Sequence, residues 1–226
     1  MIYALAGLLA GLLHVLSGPD HLAAVAPLAV EHKGHAWRAG VRWGLGHSGG
    51  VLVIAAIALI LRELAVPMNV SRAGERLVGV AMIAIGLWGL RRALTVEFHG
   101  HVHAHGAHPH EHVHVHAPPS GGSSHGHADY RGLSQAAFGM GLLHGVAGGA
   151  HFLGILPALA LPTPSASAAY IAAFVVGTIA AMAVFAAFMG LAAGKLAQRG
   201  AWAFRAFLTV ASGAAVGIGA FWIWSS

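Results

Sequence analysis

Two stretches of this chain, 130 residues apart, carry the same histidines inside otherwise apolar sequence. Residues 11–30 and 141–160 are identical at seven of twenty positions. The matched positions include four histidines: His14, His21, His144 and His151. An internal repeat is the first signal of architecture to look for in a sequence. Because ionisable side chains within apolar segments are rare and usually functional, the repeated histidines indicate a site.

The composition indicates a membrane protein. The chain is 57% hydrophobic and only 8% charged, whereas an ordinary soluble domain is roughly 25% charged. It has no cysteine, which excludes disulfides, thiolate metal sites and dithiol redox chemistry. Its Lys and Arg residues form no basic run with interleaved aromatics, so nucleic acid is not a predicted partner. The predicted partner is the lipid bilayer. The apolar N-terminus is interpreted as a mature first span rather than a cleaved signal.

The predicted fold is all-α, with six transmembrane helices. About 20 apolar residues cross a bilayer as a helix, and six such segments can be drawn: about 3–29, 40–61, 72–92, 132–161, 168–194 and 204–224. Three spans per repeat is an odd number, so the second copy is expected to be inverted, as in many secondary transporters. The predicted divisions are a first repeat at 1–92, a His-rich loop at 93–131 and a second repeat at 132–226.

The basic residues predict the orientation in the membrane. Nine Lys and Arg residues fall on the side of the 1–2, 3–4 and 5–6 loops, and three fall on the opposite side. Positive residues favour the cytoplasmic side. The sequence therefore predicts a multi-pass plasma (inner) membrane protein with both termini outside and the His-rich loop in the cytoplasm.

Spans 1 and 4 are predicted to be broken helices. In a continuous helix, His14 and His21 would lie about 10.5 Å apart along the axis, too far for one ion with metal–nitrogen bonds of about 2 Å. Proline removes a backbone donor and disfavours helical geometry in the residue before it. The residues predicted to form the two breaks are Gly18, Pro19, Gly148 and Gly149.

The intramembrane polar residues form a candidate metal site. Asp20 lies at the predicted start of a half-helix, where the macrodipole favours its charged form. The predicted metal ligands are His14, Asp20, His21, His47, His144 and His151. Imidazole suits zinc, copper, iron and nickel, whereas magnesium, calcium and manganese favour oxygen. The alternative is a structural role, in which each histidine only forms a hydrogen bond to a neighbouring helix.

The loop at 93–131 holds 11 of the 18 histidines. They are His99, His101, His103, His105, His108, His110, His112, His114, His116, His125 and His127. Tracts of this composition are typical of metal binding, and the Pro-, Gly- and Ser-rich part cannot pack a core. We predict a disordered auxiliary metal-binding loop, with a tolerated low-complexity linker as the alternative.

Three segments resemble the signatures of the nickel/cobalt transporter superfamily, in its urease-accessory-like and efflux-permease branch. They are HVLSGPDHL at 14–22, LGHS at 45–48 and LHGVAG at 143–148. In that family the first motif has four residues between His and Asp-His, whereas here five intervene, so either His14 or Ser17 would face the ion. The resemblance covers about a third of the chain.

The resemblance implies a carrier rather than an enzyme. It would move nickel(II) or cobalt(II), with zinc also suited to the ligands, across the plasma membrane by alternating access, and six spans favour efflux. The metal would be cargo, with no prosthetic group, and the partners would be the ion, the bilayer, and a homo-oligomer or cytoplasmic metallochaperone. Two alternatives stay open: an intramembrane zinc-dependent hydrolase that uses Ser17 or Ser48, and a metal-sensing membrane scaffold.

Overall fold

The computed structural model describes residues 1–32, 35–60, 68–95, 97–105, 108–116, 128–147 and 152–226. These residues form eight α-helices and one β-hairpin, so the predicted helical class is confirmed. In chain order the elements are α1 (Ile2–Ser17), α2 (Pro19–His32), α3 (Ala36–Ile60), α4 (Met68–Thr95), β1 (Glu97–His105), β2 (His108–His116), α5 (Ala128–Ala147), α6 (Phe152–Leu159), α7 (Pro164–Gln198) and α8 (Ala201–Ser225).

Among the described helices, three are long and apolar enough to cross a membrane: the Arg72–Thr95 part of α4, α7 and α8. The pair α1 and α2 together would make a fourth, bent by 75°. The six spans predicted from the sequence are therefore not shown. The breaks account for one part of the difference, since α1, α2 and α6 hold only 16, 14 and 8 residues, against about 20 for one crossing.

The break between α1 and α2 lies where the sequence predicts it. Gly18 leaves helical geometry at φ −98° and ψ 96°, and α2 begins at Pro19. Proline suits the first position of a helix because that position needs no backbone donor. In the second repeat α5 ends at Ala147 and α6 begins at Phe152. Gly148 and Gly149 lie outside the described residues.

Helix α2 runs through the centre of the bundle. It packs against α1, α3, α4, α5, α7 and α8, and Ala24, Val25 and Leu28 are fully buried or nearly so. A helix that is apolar on most sides is expected in the interior of a protein. The break at Gly18 therefore turns the chain inward, and the first turn of α2 enters the core.

The helices pair across the two halves of the chain rather than within each half. Helix α1 packs on α7, α3 on α5, and α4 on α8. Glycines allow these backbones to approach closely. A Cβ atom at Gly11 would overlap the Phe174 carbonyl of α7, and one at Gly141 would overlap the Trp43 carbonyl of α3.

The close contacts of the first half have equivalents in the second half, at positions related by the sequence repeat. Gly11 and Gly141 are equivalent in the repeat, and they meet Phe174 and Trp43 respectively. A second match joins the segments 43–46 and 174–177, in which an aromatic residue, Trp43 or Phe174, precedes a glycine by three positions. There Gly177 meets the Leu8 carbonyl, and Gly46 meets the Phe138 carbonyl. The contact of α1 with α7 thus has a counterpart in the contact of α5 with α3.

A substitution at Gly141 tests the close packing of α3 and α5. We expect Gly141→Val to lower the free energy of unfolding by about 1–3 kcal/mol or more, because the added atoms meet backbone that cannot move aside. The matched control is Gly139→Val on the same helix, where a Cβ atom would meet nothing within 4 Å. Unfolding of both variants in mixed micelles gives the comparison. Equal stability of the two variants would contradict the close approach.

The His-rich loop contains the antiparallel hairpin of β1 and β2. Its register pairs histidine with histidine four times: His99 with His114, His101 with His112, His103 with His110, and His105 with His108. Disorder is expected for this loop from its composition, whereas these two segments are extended. Histidine at every second residue is a strand-like period, which accounts for the difference. His125 and His127 lie outside the described residues.

Candidate metal centre

Five of the six predicted ligands meet in the core of the bundle. They come from four helices: His14 from α1, Asp20 and His21 from α2, His47 from α3 and His144 from α5. The ring centroids of His14 and His21 lie 4.8 Å apart, far less than the roughly 10.5 Å along the axis of an unbroken helix. The bend at Gly18 therefore brings the two imidazoles together. His151 lies outside the described residues.

The Asp20 carboxylate is held between two imidazoles. His144 Nε2 lies 2.8 Å from Asp20 Oδ2, and His21 Nδ1 lies 3.1 Å from Asp20 Oδ1. An ionised carboxylate only accepts hydrogen bonds, so each imidazole donates through the nitrogen that faces it. All three residues are buried. The arrangement fixes the carboxylate between two imidazoles, and an ion bound to either of these nitrogens would have to replace its proton.

A second contact joins His14 and His47. Their Nε2 atoms lie 3.3 Å apart, and the His47 side chain is fully buried. Two ring nitrogens this close either share one proton or face a common cation. His14 is only half-buried, so this side of the centre lies nearest to the surface of the bundle.

These residues form two sets of ligands with metal-binding spacing. One set is His14, His21 and His47, and the other is Asp20, His21 and His144. Within each set the ligand atoms all lie within 4.8 Å of one another. His21 belongs to both sets. The first set offers only imidazole nitrogen, whereas the second adds a carboxylate oxygen.

Aromatic side chains enclose the centre. Trp43 stacks on His47 with ring centroids 4.9 Å apart and an interplanar angle of 11°, and it lies 5.4 Å from His21. Trp222 stacks on His144 at 5.3 Å, and Phe174 lies 5.5 Å from His14. These rings exclude water and strengthen electrostatic interactions inside the centre. The sequence interpretation missed all three residues as part of the site, although the equivalence of Trp43 and Phe174 in the repeat was a usable signal.

The chemistry of the residues fits a transition-metal ion. Four imidazoles and one carboxylate match the ligand preference of zinc, copper, iron and nickel. Trp43 Nε1, Ser48 Oγ and Thr178 Oγ1 are also buried without a hydrogen-bond partner among the described residues. Buried polar groups normally have partners, and only a bound water, not the ion itself, could accept a hydrogen bond from Trp43 Nε1.

The structure decides between His14 and Ser17 as the residue that faces the centre. The His14 ring contacts His21 and His47. Ser17 is exposed, and its hydroxyl donates to the His14 carbonyl oxygen at 3.2 Å. Five residues separate His14 from Asp20, where the family has four, and His14 nevertheless faces the centre. Metal binding by these residues stays a prediction.

Comparison with known proteins finds relatives of a different kind from those predicted. No family model and no solved structure matches the chain. The chain is 32% identical over 214 residues to Chloroplast protein FOR GROWTH AND FERTILITY 1 of Arabidopsis thaliana, which covers 94% of this chain and 56% of that protein. It is 31% identical over 199 residues to Chloroplast protein FOR GROWTH AND FERTILITY 2, which covers 85% of this chain and 48% of the relative.

These relatives correct three of the sequence predictions. Neither is named as a nickel or cobalt transporter, and both are named as chloroplast proteins. Membership of the nickel/cobalt transporter superfamily, nickel or cobalt transport, and a plasma-membrane location are therefore wrong. Short His- and Asp-containing motifs reflect what metal ligation requires, and such sites recur with unrelated functions. The chain spans about half the length of the curated relatives that it matches, and over most of its own length it is similar to these two chloroplast proteins.

Proposed function

We propose that this protein is a membrane-embedded binding protein for a divalent first-row transition-metal ion of the zinc or iron(II) class. We treat it as a binding protein without catalytic activity and without a prosthetic group, with the ion and the bilayer as its partners. One observation carries the proposal. Four separate helices bring four imidazoles and one carboxylate into a buried centre with metal-ligand spacing.

Burial of these groups argues for a metal ion rather than for a purely structural network. Asp20, His21, His47 and His144 have at most 6% of their surface exposed. Buried charges are usually paired or coordinate a metal, because an isolated charge is costly away from water. A structural role would need one polar contact between two helices. Five ligating groups on four helices exceed that need.

The ligand types support a borderline transition-metal ion over a hard cation. Calcium takes six to eight oxygen ligands, and magnesium keeps several waters around oxygen ligands. The centre supplies a single carboxylate, and its other ligands are nitrogen. Zinc and iron(II) accept mixed imidazole and carboxylate ligands. Zinc is the practical probe because it has no redox chemistry.

We further propose that the chain forms six spans as two inverted repeats. The bent pair α1 with α2 would count as one span, and by the repeat α5 with α6 would count as another, beside α3, α4, α7 and α8. The matching glycine contacts support this arrangement, because Gly11 meets α7 as Gly141 meets α3. Inverted repeats with broken helices have their ligand sites at the repeat interface. Limited cysteine labelling from each side of the membrane would test the six crossings.

We propose a chloroplast membrane as the location, because both relatives are named chloroplast proteins. A fluorescent fusion expressed in plant cells would test this proposal. Coincidence of the fusion with chlorophyll autofluorescence is the expected result. Accumulation at the cell boundary would contradict it.

Zinc titration of the purified full-length chain tests the proposed function. The eleven loop histidines are first replaced with glutamine, since they would bind zinc themselves, and this loop-Gln parent serves as the reference. We expect the parent to bind one zinc ion per chain. We expect Asp20→Asn to weaken binding by more than about 100-fold, because even residues that only orient metal ligands contribute about 10–100-fold.

The matched control for this titration is Glu75→Gln, an acid-to-amide change in α4 outside the centre. This variant should bind zinc as the parent does. Absence of zinc binding by the parent would overturn the proposed function. Equal affinity of the parent and Asp20→Asn would contradict a mixed imidazole and carboxylate centre, since the carboxylate would then not be a ligand.

A further inference from the structure

We infer that the centre holds one ion at a time in either of two overlapping positions. The outer position is formed by His14, His21 and His47, and the inner position by Asp20, His21 and His144. An ion binds first at the outer position and comes to rest at the inner one. This inference rests on the proposed function, because it assumes that the centre binds a metal ion.

The geometry separates the five side chains into two sets. Two nitrogen ligands of one ion lie at most about 4.2 Å apart, twice a metal–nitrogen bond. Each set of three meets a spacing close to this, with all of its ligand atoms within 4.8 Å. Among the described residues, neither set with this spacing contains both His47 and His144. Small side-chain adjustments therefore close either set around an ion.

A difference in burial orders the two positions. His14 of the outer set is half-buried, whereas His47 and all three inner ligands are buried. An ion from outside the bundle therefore meets His14 before it meets the carboxylate. Trp43 and Trp222 pack against the inner histidines. In this inference the ion therefore enters from the side of His14, the one ligand of the five that is not buried.

Charge decides where the ion rests. The outer set is electrically neutral, so a divalent ion there keeps both of its charges unbalanced in a buried place. The inner set contains Asp20, which offsets one of them. Coulomb interactions are several-fold stronger in a protein interior than in water, so the inner position is favoured. Two ions together would bring four positive charges against one carboxylate, which makes double occupancy unfavourable.

His21 allows the ion to pass between the positions without losing every protein ligand. Its ring lies edge-on to His14 at 4.8 Å and to His144 at 4.7 Å. The side chain also bonds Asp20 through Nδ1. A shared ligand of this kind replaces one large dehydration step with two partial exchanges. His21 is therefore the pivot between the two sets.

Rates of zinc exchange test the order of the positions. In the loop-Gln parent, zinc binding and release are followed by stopped-flow with a competing fluorescent chelator. We expect His14→Ala to slow both processes by about tenfold or more, because it removes a ligand of the outer position. We expect His144→Ala to weaken affinity mainly through faster release, since it removes a ligand of the resting position. His35→Ala, an exposed histidine outside the centre, should exchange zinc as the parent does.

X-ray absorption of bound zinc tests the resting position directly. The parent should show two imidazoles with oxygen ligands, as the inner set provides. In Asp20→Asn at saturating zinc, the ion should move to the outer set and show three imidazoles. This change in ligand count does not depend on affinity, so it stays readable in the weakened variant.

The outcomes separate the inference from the proposed function. If the parent binds no zinc, the proposed function itself is wrong. If it binds one ion but His14→Ala and His144→Ala weaken affinity equally without slowing binding, all the ligands hold a single position and the inference is wrong. Two zinc ions per chain of the loop-Gln parent would also overturn the inference while leaving the proposed function intact.

Discussion

Replacing His21 with alanine should abolish zinc binding at the centre. His21 is the one residue that the two ligand sets have in common, so its loss leaves each set with two ligands. A ligand that binds only the folded state stabilises it, by about 2.7 kcal/mol at a concentration of one hundred times Kd. We therefore expect zinc to raise the unfolding free energy of the loop-Gln parent and to leave that of His21→Ala unchanged.

The measurement is unfolding in mixed micelles with and without zinc. His35→Ala is the control, since it removes an exposed histidine from the same loop-Gln chain. It should keep the full zinc-dependent stabilisation. If zinc also stabilises His21→Ala, the ion binds at a place other than the centre, and the prediction is wrong.

Replacing Trp43 with alanine should cost about 3–5 kcal/mol of stability, as is typical when a large buried aromatic is removed. Trp43 is fully buried, stacks on His47 and contacts His21 and His144. The cavity would lie beside the metal ligands, so zinc affinity should fall as well. Trp43→Phe is the matched variant, because the equivalent position in α7 already holds Phe174.

Both Trp43 variants are compared in the same unfolding experiment without zinc. Trp43→Phe should lose clearly less stability than Trp43→Ala, since a ring remains to stack on His47. A loss of less than about 1 kcal/mol in Trp43→Ala would contradict the tight packing of α3 against the centre, because surface substitutions are typically within about 0.5 kcal/mol.

The centre could be anticipated from the sequence because its chemistry is local. Histidine and aspartate are conspicuous in apolar sequence. Gly18 and Pro19 predict a helix break because of their backbone preferences. Those two facts together predict that His14 and His21 converge, and their rings lie 4.8 Å apart. The choice of His14 over Ser17 could not be anticipated, since it depends on where α1 ends.

The arrangement of helices could not be anticipated in the same way. Which helix faces which is decided by close approach of backbones, for example Gly11 against Phe174, and glycine is frequent throughout the chain. Trp43 was overlooked for a related reason, because a tryptophan in an apolar helix is equally consistent with contact to lipid. The hairpin at Glu97–His116 was hidden by composition, although alternate histidines have the period of a strand.

The exchange of helix partners between the halves also sets the order of assembly during synthesis. Helices α1 and α3 leave the ribosome well before their partners α7 and α5. Until then, the glycine surfaces around Gly11 and Gly46 have no partner helix, and the carboxylate of Asp20 lacks the imidazole of His144. Until α5 is added, the first half of the chain therefore carries one acid and three histidines without the partners that surround them in the complete structure. The centre is complete only once α5 has joined the bundle, so a truncated chain that stops before α5 retains the motifs around Asp20 and His47 but lacks His144.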